Sequence, residues 1–175
     1  MRKILVVIDM QNDFIDGALG TSEAQAIVPR VVEKMEQYDP WNIYLTRDTH
    51  YENYLETQEG RNLPVAHCIK DTEGWQLRAE VAEAARDAAI IDKPTFGSVE
   101  LASKLMIERA QESLEIEMVG LCTDICVVSN ALLLKAAMPE APITVDAACC
   151  AGVTPEKHRA ALETMKSCQI RIVNE

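Results

Sequence analysis

The chain has 175 residues, of which 48% are hydrophobic, and a formal net charge of −11 at pH 7. This length suits one domain, residues 1–175, with a sizeable core, and the apolar content excludes a disordered chain. The negative charge argues against a nucleic-acid partner, because phosphates would be repelled, and no apolar run reaches the roughly 18 residues that a membrane span needs.

Short β-branched runs alternate with longer amphipathic stretches along the chain. The runs predict strands at Lys3–Ile8, Asn42–Arg47, Ala88–Ile91, Ile116–Leu121, Ile143–Asp146 and Gln169–Val173. The stretches predict helices at Ala24–Gln37, Gln76–Asp87, Val99–Gln111, Ile125–Ala137 and Pro155–Ser167. This alternation is typical of a mainly parallel sheet covered on both faces. The predicted fold class is therefore α/β, a three-layer α/β/α sandwich of about six strands with Rossmann-like topology.

The apolar run at the start of the chain is too short for a secretory signal, and Asp9 interrupts it. We therefore interpret the run as a buried strand of a cytoplasmic protein. The chain has six cysteines, and without an export signal we expect reduced thiols rather than disulfides. A Cys-x-x-Cys pair is absent, which argues against a zinc ribbon.

Ligands of parallel sheets bind beyond the carboxyl ends of the strands, so the residues that follow each strand are the functional candidates. Asp9 follows the first strand, where desolvation can raise the pKa of a carboxyl and make it a base. A turn-capping role is the alternative for Asp9. Lys93 follows the third strand and would favour a nearby thiolate. Taken alone, Lys93 is interpreted more simply as a surface lysine.

Cys126 follows the fourth strand and lies near the start of a helix. The partial positive charge of a helix N-terminus lowers the pKa of a thiol, and free N–H groups there can hold an oxyanion. A buried structural thiol is the alternative, and it fits Cys149, Cys150 and Cys168 better than Cys126. An acid, a lysine and a cysteine after three strands of one inferred sheet form a constellation that is far more specific than any one of them, and it makes Cys126 the candidate nucleophile.

Asp48, His50 and His67 come after the second strand. One carboxylate and two imidazoles suit a divalent zinc or iron ion that keeps open positions for a ligand. Loop polarity is the alternative, but two of the three histidines of the chain lie here. The third, His158, stands among charged residues of a predicted helix and is interpreted as a solvated surface residue.

The chain resembles the isochorismatase-like cysteine hydrolases over nearly its whole length, and among them the nicotinamidases. The motifs that carry the resemblance to the family are Val7-Ile8-Asp9-Met10-Gln11-Asn12-Asp13-Phe14, Asp92-Lys93-Pro94-Thr95-Phe96-Gly97-Ser98, Gly120-Leu121-Cys122-Thr123-Asp124-Ile125-Cys126-Val127, Asp146-Ala147 and Ala151-Gly152-Val153-Thr154-Pro155. The segments similar to metal-binding segments of nicotinamidases are Asp48-Thr49-His50 and Pro64-Val65-Ala66-His67-Cys68.

The resemblance implies a catalytic triad of Asp9, Lys93 and Cys126. It also implies an oxyanion hole made by the backbone N–H groups of Cys122 and Cys126. A cis peptide bond between Leu121 and Cys122, also implied by the resemblance, would orient these N–H groups towards the oxyanion. The implied reaction is the hydrolysis of nicotinamide to nicotinate and ammonia through a thioester. The family further implies a small-molecule amide substrate and a homo-oligomer.

The resemblance implies a divalent metal ion, zinc before iron or manganese, that orients the substrate. Its implied ligands are Asp48, His50 and His67. Some nicotinamidases add a fourth side-chain ligand, for which Glu59 occupies a suitable place and Glu52 and Glu56 are rivals.

The expected substrate pocket departs from nicotinamidases, which commonly carry a tryptophan before the Pro-x-His-Cys segment. This chain has Leu63 there and one extra residue before the histidine. We therefore expect the substrate to contact Phe14, Leu63 and an aromatic residue for which Tyr51 is the first candidate, with Tyr54 and Trp75 as rivals. The alternatives in function are another amide or ureido hydrolase of the family, a non-catalytic binding module, and a redox protein using Cys122 with Cys126.

Overall fold

The computed structural model describes all 175 residues, and one sheet of parallel strands forms its centre. The strands are Arg2–Ile8 (β1), Ile43–Asp48 (β2), Ala89–Lys93 (β3), Leu114–Leu121 (β4), Ile143–Ala151 (β5) and Arg171–Val173 (β6). Their order across the sheet is β3-β2-β1-β4-β5-β6, and every neighbouring pair is parallel. Since the chain runs outwards from β1 in one direction and then returns to β4 on its other side, β1 and β4 flank the topological switch point.

Helices cover both faces of the sheet. They are Asn12–Ile15 (α1), Ser22–Met35 (α2), Gln58–Asn62 (α3), Ala79–Ala85 (α4), Val99–Arg109 (α5), Val128–Ala137 (α6) and Pro155–Ser167 (α7). Side chains of β1 alternate between two cores: Ile4 and Val6 pack with α5, α6 and α7, whereas Leu5 and Val7 pack with α2 and α4. This confirms the predicted three-layer α/β/α sandwich. None of the helices combines the length and apolar composition that crossing a bilayer requires.

The fifth strand is longer than predicted because the prediction ended it at a charged residue, Asp146. In the structure Asp146 is buried within β5, where Lys34 Nζ lies 2.9 Å from its carboxylate and Asn174 donates a hydrogen bond to it. Both partners come from distant parts of the chain, so the local pattern could not reveal that the charge is paired. The pairing of β5 with β4 shifts register between Met118 and Gly120.

Gly120, near the end of β4, has a backbone that only glycine adopts without strain. Its φ is +117°, and a Cβ there would lie 2.1 Å from the carbonyl oxygen of Ile8 on β1. The close approach of the two backbones brings the ends of β1 and β4 together, immediately before Asp9 and Cys122.

We expect Gly120→Ala to lower the free energy of unfolding by about 2–4 kcal/mol, because it adds backbone strain and a steric clash between β1 and β4. Urea unfolding followed by circular dichroism measures the change. Gly97→Ala is the matched control, because the atom nearest to a Cβ added at this position is 3.3 Å away. We expect this variant to lose less than about 1 kcal/mol of unfolding free energy. Equal stability of the two variants would contradict this account of Gly120.

Candidate active site

A cavity of about 440 Å³ opens at the carboxyl ends of the central strands. Its polar floor includes Asp48, His67 and Cys126, which come from β2, the loop after α3 and the turn after β4. Most of its walls are apolar and are formed by Phe14, Leu19, Leu63, Phe96 and Ile125. The cavity therefore lies where the switch-point rule predicts a ligand, and it suits a small, largely apolar molecule with one reactive polar group.

The three residues predicted as a triad meet beside this cavity, and Cys126 is the one of them that lines it. Lys93 Nζ lies 2.7 Å from Asp9 Oδ2 and 3.4 Å from Cys126 Sγ. All three side chains are buried, with exposed fractions of 0% for Asp9, 1% for Lys93 and 4% for Cys126. A carboxylate close to a thiol can accept its proton, and a neighbouring ammonium stabilises the resulting thiolate.

Burial is the largest influence on the pKa values of Cys126 and Asp9. It raises the pKa of the Cys126 thiol well above its usual value, and Asp9 adds to this effect while Lys93 opposes it. The predicted lowering by a helix N-terminus is therefore wrong in sign, because complete desolvation outweighs the nearby positive charges. Burial also raises the pKa of Asp9, although Lys93 counteracts it. The raised pKa favours the thiol form of Cys126, so a thiolate there requires an adjacent base.

Thr46, which the sequence interpretation did not identify, holds Asp9 in place. Its hydroxyl donates a 2.6 Å hydrogen bond to Asp9 Oδ1, and the Asp9 N–H donates to the Thr46 carbonyl at 3.2 Å. Asp9 has a φ of +47°, a strained conformation for a residue with a side chain. The two hydrogen bonds leave Oδ2 facing Lys93. A buried threonine two residues before the candidate ligand Asp48 was the only signal for this role.

Cys126, the predicted nucleophile, lies on a widened helical turn, Thr123–Val127, that precedes α6. The peptide bond between Leu121 and Cys122 is cis, as the family resemblance implies. The Cys122 carbonyl accepts hydrogen bonds from the N–H groups of Ile125 and Val127, both at 3.1 Å. The Cys122 N–H donates to no backbone or side-chain group. A free N–H beside the thiol is what an oxyanion hole requires.

His158 supports this turn instead of facing solvent. Its Nδ1 lies 2.7 Å from Thr123 Oγ1, and the imidazole is half-buried between α7 and the turn. Burial lowers the pKa of His158, which favours the neutral ring. The interpretation of His158 as a solvated surface residue is wrong, because packing of α7 against the turn covers it.

Four side chains form a group that can hold a metal ion: Asp48, His50, Glu59 and His67. Their ligand atoms all lie within 4.8 Å of one another. His50 Nε2 is 3.0 Å from Asp48 and 3.5 Å from Glu59, and His67 Nε2 is 3.7 Å and 3.8 Å from the same two carboxylates. The structure places Glu59, and neither Glu52 nor Glu56, in this group. Two imidazoles with two carboxylates match the donor set of zinc and related divalent ions.

The electrostatics of this group favour a cation. Burial lowers the pKa of His50, but hydrogen bonds to Asp48 and Glu59 outweigh burial and raise it to about 9. Hydrogen bonds from His50 and His67, together with the charge of Lys93, hold the pKa of Asp48 well below its usual value despite burial. The carboxylates of Asp48 and Glu59 thus create a negative potential that stabilises a cation between the two imidazoles.

Neighbouring groups orient the candidate ligands. Gln11 Nε2 donates to the Asp48 carbonyl at 2.8 Å, and Gln11 Oε1 accepts from the Asp48 N–H at 2.7 Å. His67 Nδ1 bonds to the Val65 carbonyl at 2.8 Å, which fixes the tautomer and leaves Nε2 free to bind a metal. Gln11 is fully buried, and its role depends on a contact across 37 residues that no local pattern indicates.

The residues predicted to contact the substrate divide into two groups. Phe14 and Leu63 line the cavity, whereas Tyr51 does not and is 58% exposed. Tyr54 packs against His50 and His67 outside the lining, at ring-centroid distances of 4.7 and 5.0 Å. The expectation for Tyr51 is therefore not supported.

Trp75 is buried beside β2, where its indole N–H donates to Thr49 Oγ1 at 2.9 Å and Arg47 stacks over its ring. It therefore plays no part in the cavity. The sequence interpretation missed Phe96, an aromatic residue that lines the cavity and is 45% exposed. Its only signal was its place three residues after Lys93.

Comparison with known proteins agrees with this geometry. A family model described as the isochorismatase domain matches residues 3–174. The nicotinamidase/pyrazinamidase of Mycobacterium tuberculosis is 24% identical over 98% of each chain. The zinc complex of Pyrococcus horikoshii pyrazinamidase superposes with a TM-score of 0.79 at 30% identity, covering 100% of both chains. N-carbamoylsarcosine amidase of Thermoplasma acidophilum has the same fold, with a TM-score of 0.79 at 24% identity over 98% of this chain and 95% of its own. The chain belongs to the isochorismatase family.

Proposed function

We propose that this enzyme is an amidohydrolase that converts nicotinamide to nicotinate and ammonia through a thioester on Cys126. The observation that carries the proposal is that the metal-ligand group and the nucleophile share one cavity. Asp48 links them, since its Oδ1 lies 3.4 Å from Lys93 Nζ and its Oδ2 faces His50. An aromatic amide can therefore place a ring nitrogen near the ligand group while its carboxamide meets the thiol. The names of two relatives, a nicotinamidase and a pyrazinamidase, support this substrate class.

Acylation uses Asp9, Lys93 and Cys126. Asp9 accepts the proton of the Cys126 thiol, and Lys93 stabilises the thiolate as its sulfur forms a bond to the amide carbon. The backbone N–H groups of Cys122 and Cys126 are proposed to hold the oxyanion, and losing one such donor typically costs about 3–4 kcal/mol. The intermediate collapses, the C–N bond breaks, and the protonated Asp9 returns its proton to the leaving nitrogen. Ammonia departs and a thioester remains on Cys126.

Deacylation reuses the same acid. A water molecule attacks the thioester carbon through its oxygen, and Asp9, again a carboxylate, accepts a proton from that water. The C–S bond breaks, the carboxylic acid product is released, and the proton on Asp9 restores the Cys126 thiol. A carboxyl whose pKa is raised by burial suits a group that must act as base and acid in turn.

We propose that Asp48, His50, Glu59 and His67 hold a zinc ion, with iron or manganese as alternatives. The zinc complex of the Pyrococcus horikoshii relative supports zinc. When bound, the ion supplies a Lewis-acid position for the lone pair of a ring nitrogen. The chain itself supplies the apolar walls, Phe14 and Leu63 among them, that exclude water from the ring.

A second candidate, hydrolysis of another small amide or a ureido compound, is favoured by Leu63. Leu63 is aliphatic and 38% exposed, so it covers a flat ring less completely than an aromatic side chain does. The similarity to an N-carbamoylsarcosine amidase points the same way. A panel of nicotinamide, aliphatic amides and N-carbamoyl amino acids, followed by ammonia release, separates the two. A higher kcat/KM for an N-carbamoyl compound would reject nicotinamide as the substrate.

We predict that Cys126→Ala lowers ammonia release on the order of 10⁴-fold or more, because it removes the nucleophile. Metal content, measured by atomic emission, should stay the same. Cys168→Ala is the matched control, since this thiol is exposed and lies at the end of α7. Turnover that survives in purified Cys126→Ala protein would exclude the thioester mechanism.

His67→Ala tests the metal group without touching the triad, whereas Asp48→Ala changes both because Asp48 contacts Lys93. We expect His67→Ala to weaken metal binding by at least about 100-fold, beyond the range typical of losing an outer partner of a ligand. It should also raise KM for nicotinamide while Cys126 remains open to alkylation. Isothermal titration with zinc measures the affinity. An unchanged zinc affinity in His67→Ala would place the metal elsewhere.

A further inference from the structure

Asn130 lies on α6, four residues after Cys126, and its side chain makes an unusually complete set of hydrogen bonds. Nδ2 donates to the Cys126 carbonyl at 2.8 Å and to the Phe96 carbonyl at 3.0 Å. Oδ1 accepts from the Ser98 N–H at 2.8 Å. The side chain is 1% exposed, so both donor hydrogens of the amide are used inside the protein.

The partners of Asn130 belong to two parts of the cavity. Cys126 carries the proposed nucleophile, while Phe96 and Ser98 belong to the segment Pro94–Ser98, which we call the wall segment. The wall segment follows Lys93, places the Phe96 ring in the cavity lining, and ends at the residue whose hydroxyl accepts from the Leu101 N–H to begin α5. Lys93 Nζ also donates to the Thr95 carbonyl within it, at 3.1 Å.

We propose that Asn130 is a positioning residue that clamps the wall segment to the nucleophile turn and so sets the position of the Phe96 ring relative to Cys126. This inference rests on the proposed role of Cys126 as the nucleophile. Asn130 acts through two backbone carbonyls and one N–H, and it has no direct part in proton transfer. Asn130 therefore affects substrate binding through the wall segment, and it affects the reactivity of Cys126 through the turn.

Simple replacements separate these two effects because they keep different parts of the clamp. Asn130→Ala removes all three hydrogen bonds. Asn130→Ser restores the bond to the Cys126 carbonyl, since a serine hydroxyl in a helix reaches the carbonyl four residues before it, but it cannot span to the wall segment. The serine variant thus keeps the turn anchored and releases the wall.

Steady-state kinetics of ammonia release from nicotinamide test the clamp in the metal-loaded enzyme. For Asn130→Ala we expect kcat to fall at least 10-fold and KM to rise at least 5-fold. For Asn130→Ser we expect kcat within about 3-fold of the unchanged enzyme, because the hydrogen bond to the Cys126 carbonyl is retained. We expect KM to stay raised, because the hydrogen bonds to the wall segment are lost. Values of kcat and KM within 2-fold of the unchanged enzyme in Asn130→Ala would overturn the proposal.

Leu134→Ala is the matched control for simple loss of stability. Leu134 is also buried on α6, one turn further on, and belongs to the apolar core. We expect it to lower the melting temperature without changing KM. If Leu134→Ala shifts kcat and KM as Asn130→Ala does, the effect is loss of folded structure and the clamp is rejected.

Alkylation of Cys126 by iodoacetamide, followed by peptide mass mapping, tests the clamp independently of the substrate. The exposed Cys168 serves as internal reference for the reagent. We expect Asn130→Ala to change the Cys126 rate at least 5-fold relative to Cys168, and Leu134→Ala to leave it unchanged. If the unchanged enzyme releases no ammonia from nicotinamide, the proposed function fails while this readout still decides the clamp. An unchanged Cys126 rate in Asn130→Ala would overturn it.

Discussion

The buried ammonium of Lys93 is the constraint on which the rest of the site depends. Only 1% of the side chain is exposed, and an unpaired charge at such a position would cost several kcal/mol. Burial works against this charge, but the carboxylates of Asp9 and Asp48 raise the pKa of Lys93 and keep it charged. The charge therefore ties the ends of β1, β2 and β3 and the turn after β4 to one point, and most of the catalytic geometry follows from that attachment.

The same charge also accounts for the metal-ligand group. Lys93 faces two buried carboxylates, those of Asp9 and Asp48, and one ammonium cannot balance both. Asp48 turns its second oxygen to His50, 3.0 Å away, where Glu59 adds further negative charge. A divalent cation held there would complete the balance. The predicted triad and the candidate metal-ligand group are thus two parts of one electrostatic arrangement joined through Asp48.

The sequence predicts the parts of this arrangement that depend on local order. Asp9, Lys93 and Cys126 each lie at or shortly after the carboxyl end of a strand, and parallel strands end at the same edge, so their meeting could be anticipated. Contacts distant in sequence could not be anticipated. Thr46 on Asp9, Gln11 on Asp48 and the contacts of Asn130 with Phe96 and Ser98 depend on pairs separated by 32 to 37 residues.

The errors have physical causes of the same kind. The pKa of Cys126 rises instead of falling, because complete burial is a property of the folded chain that a position at the start of a helix does not reveal. Tyr51 is exposed and lies outside the cavity, whereas Phe96 from the wall segment lines it. The local pattern thus predicted which candidate residues would come together, whereas tertiary packing determines their pKa values and the side chains that line the cavity.

The most direct test of the central claim, amide cleavage through a thioester on Cys126, is the partition of product in hydroxylamine. A thioester is attacked by hydroxylamine as well as by water, so increasing hydroxylamine should convert nicotinate into the hydroxamic acid while ammonia release continues. Chromatography of the two products against hydroxylamine concentration measures this partition. Nicotinate as the only product at every hydroxylamine concentration would contradict the account, because it would indicate direct attack of water on the amide.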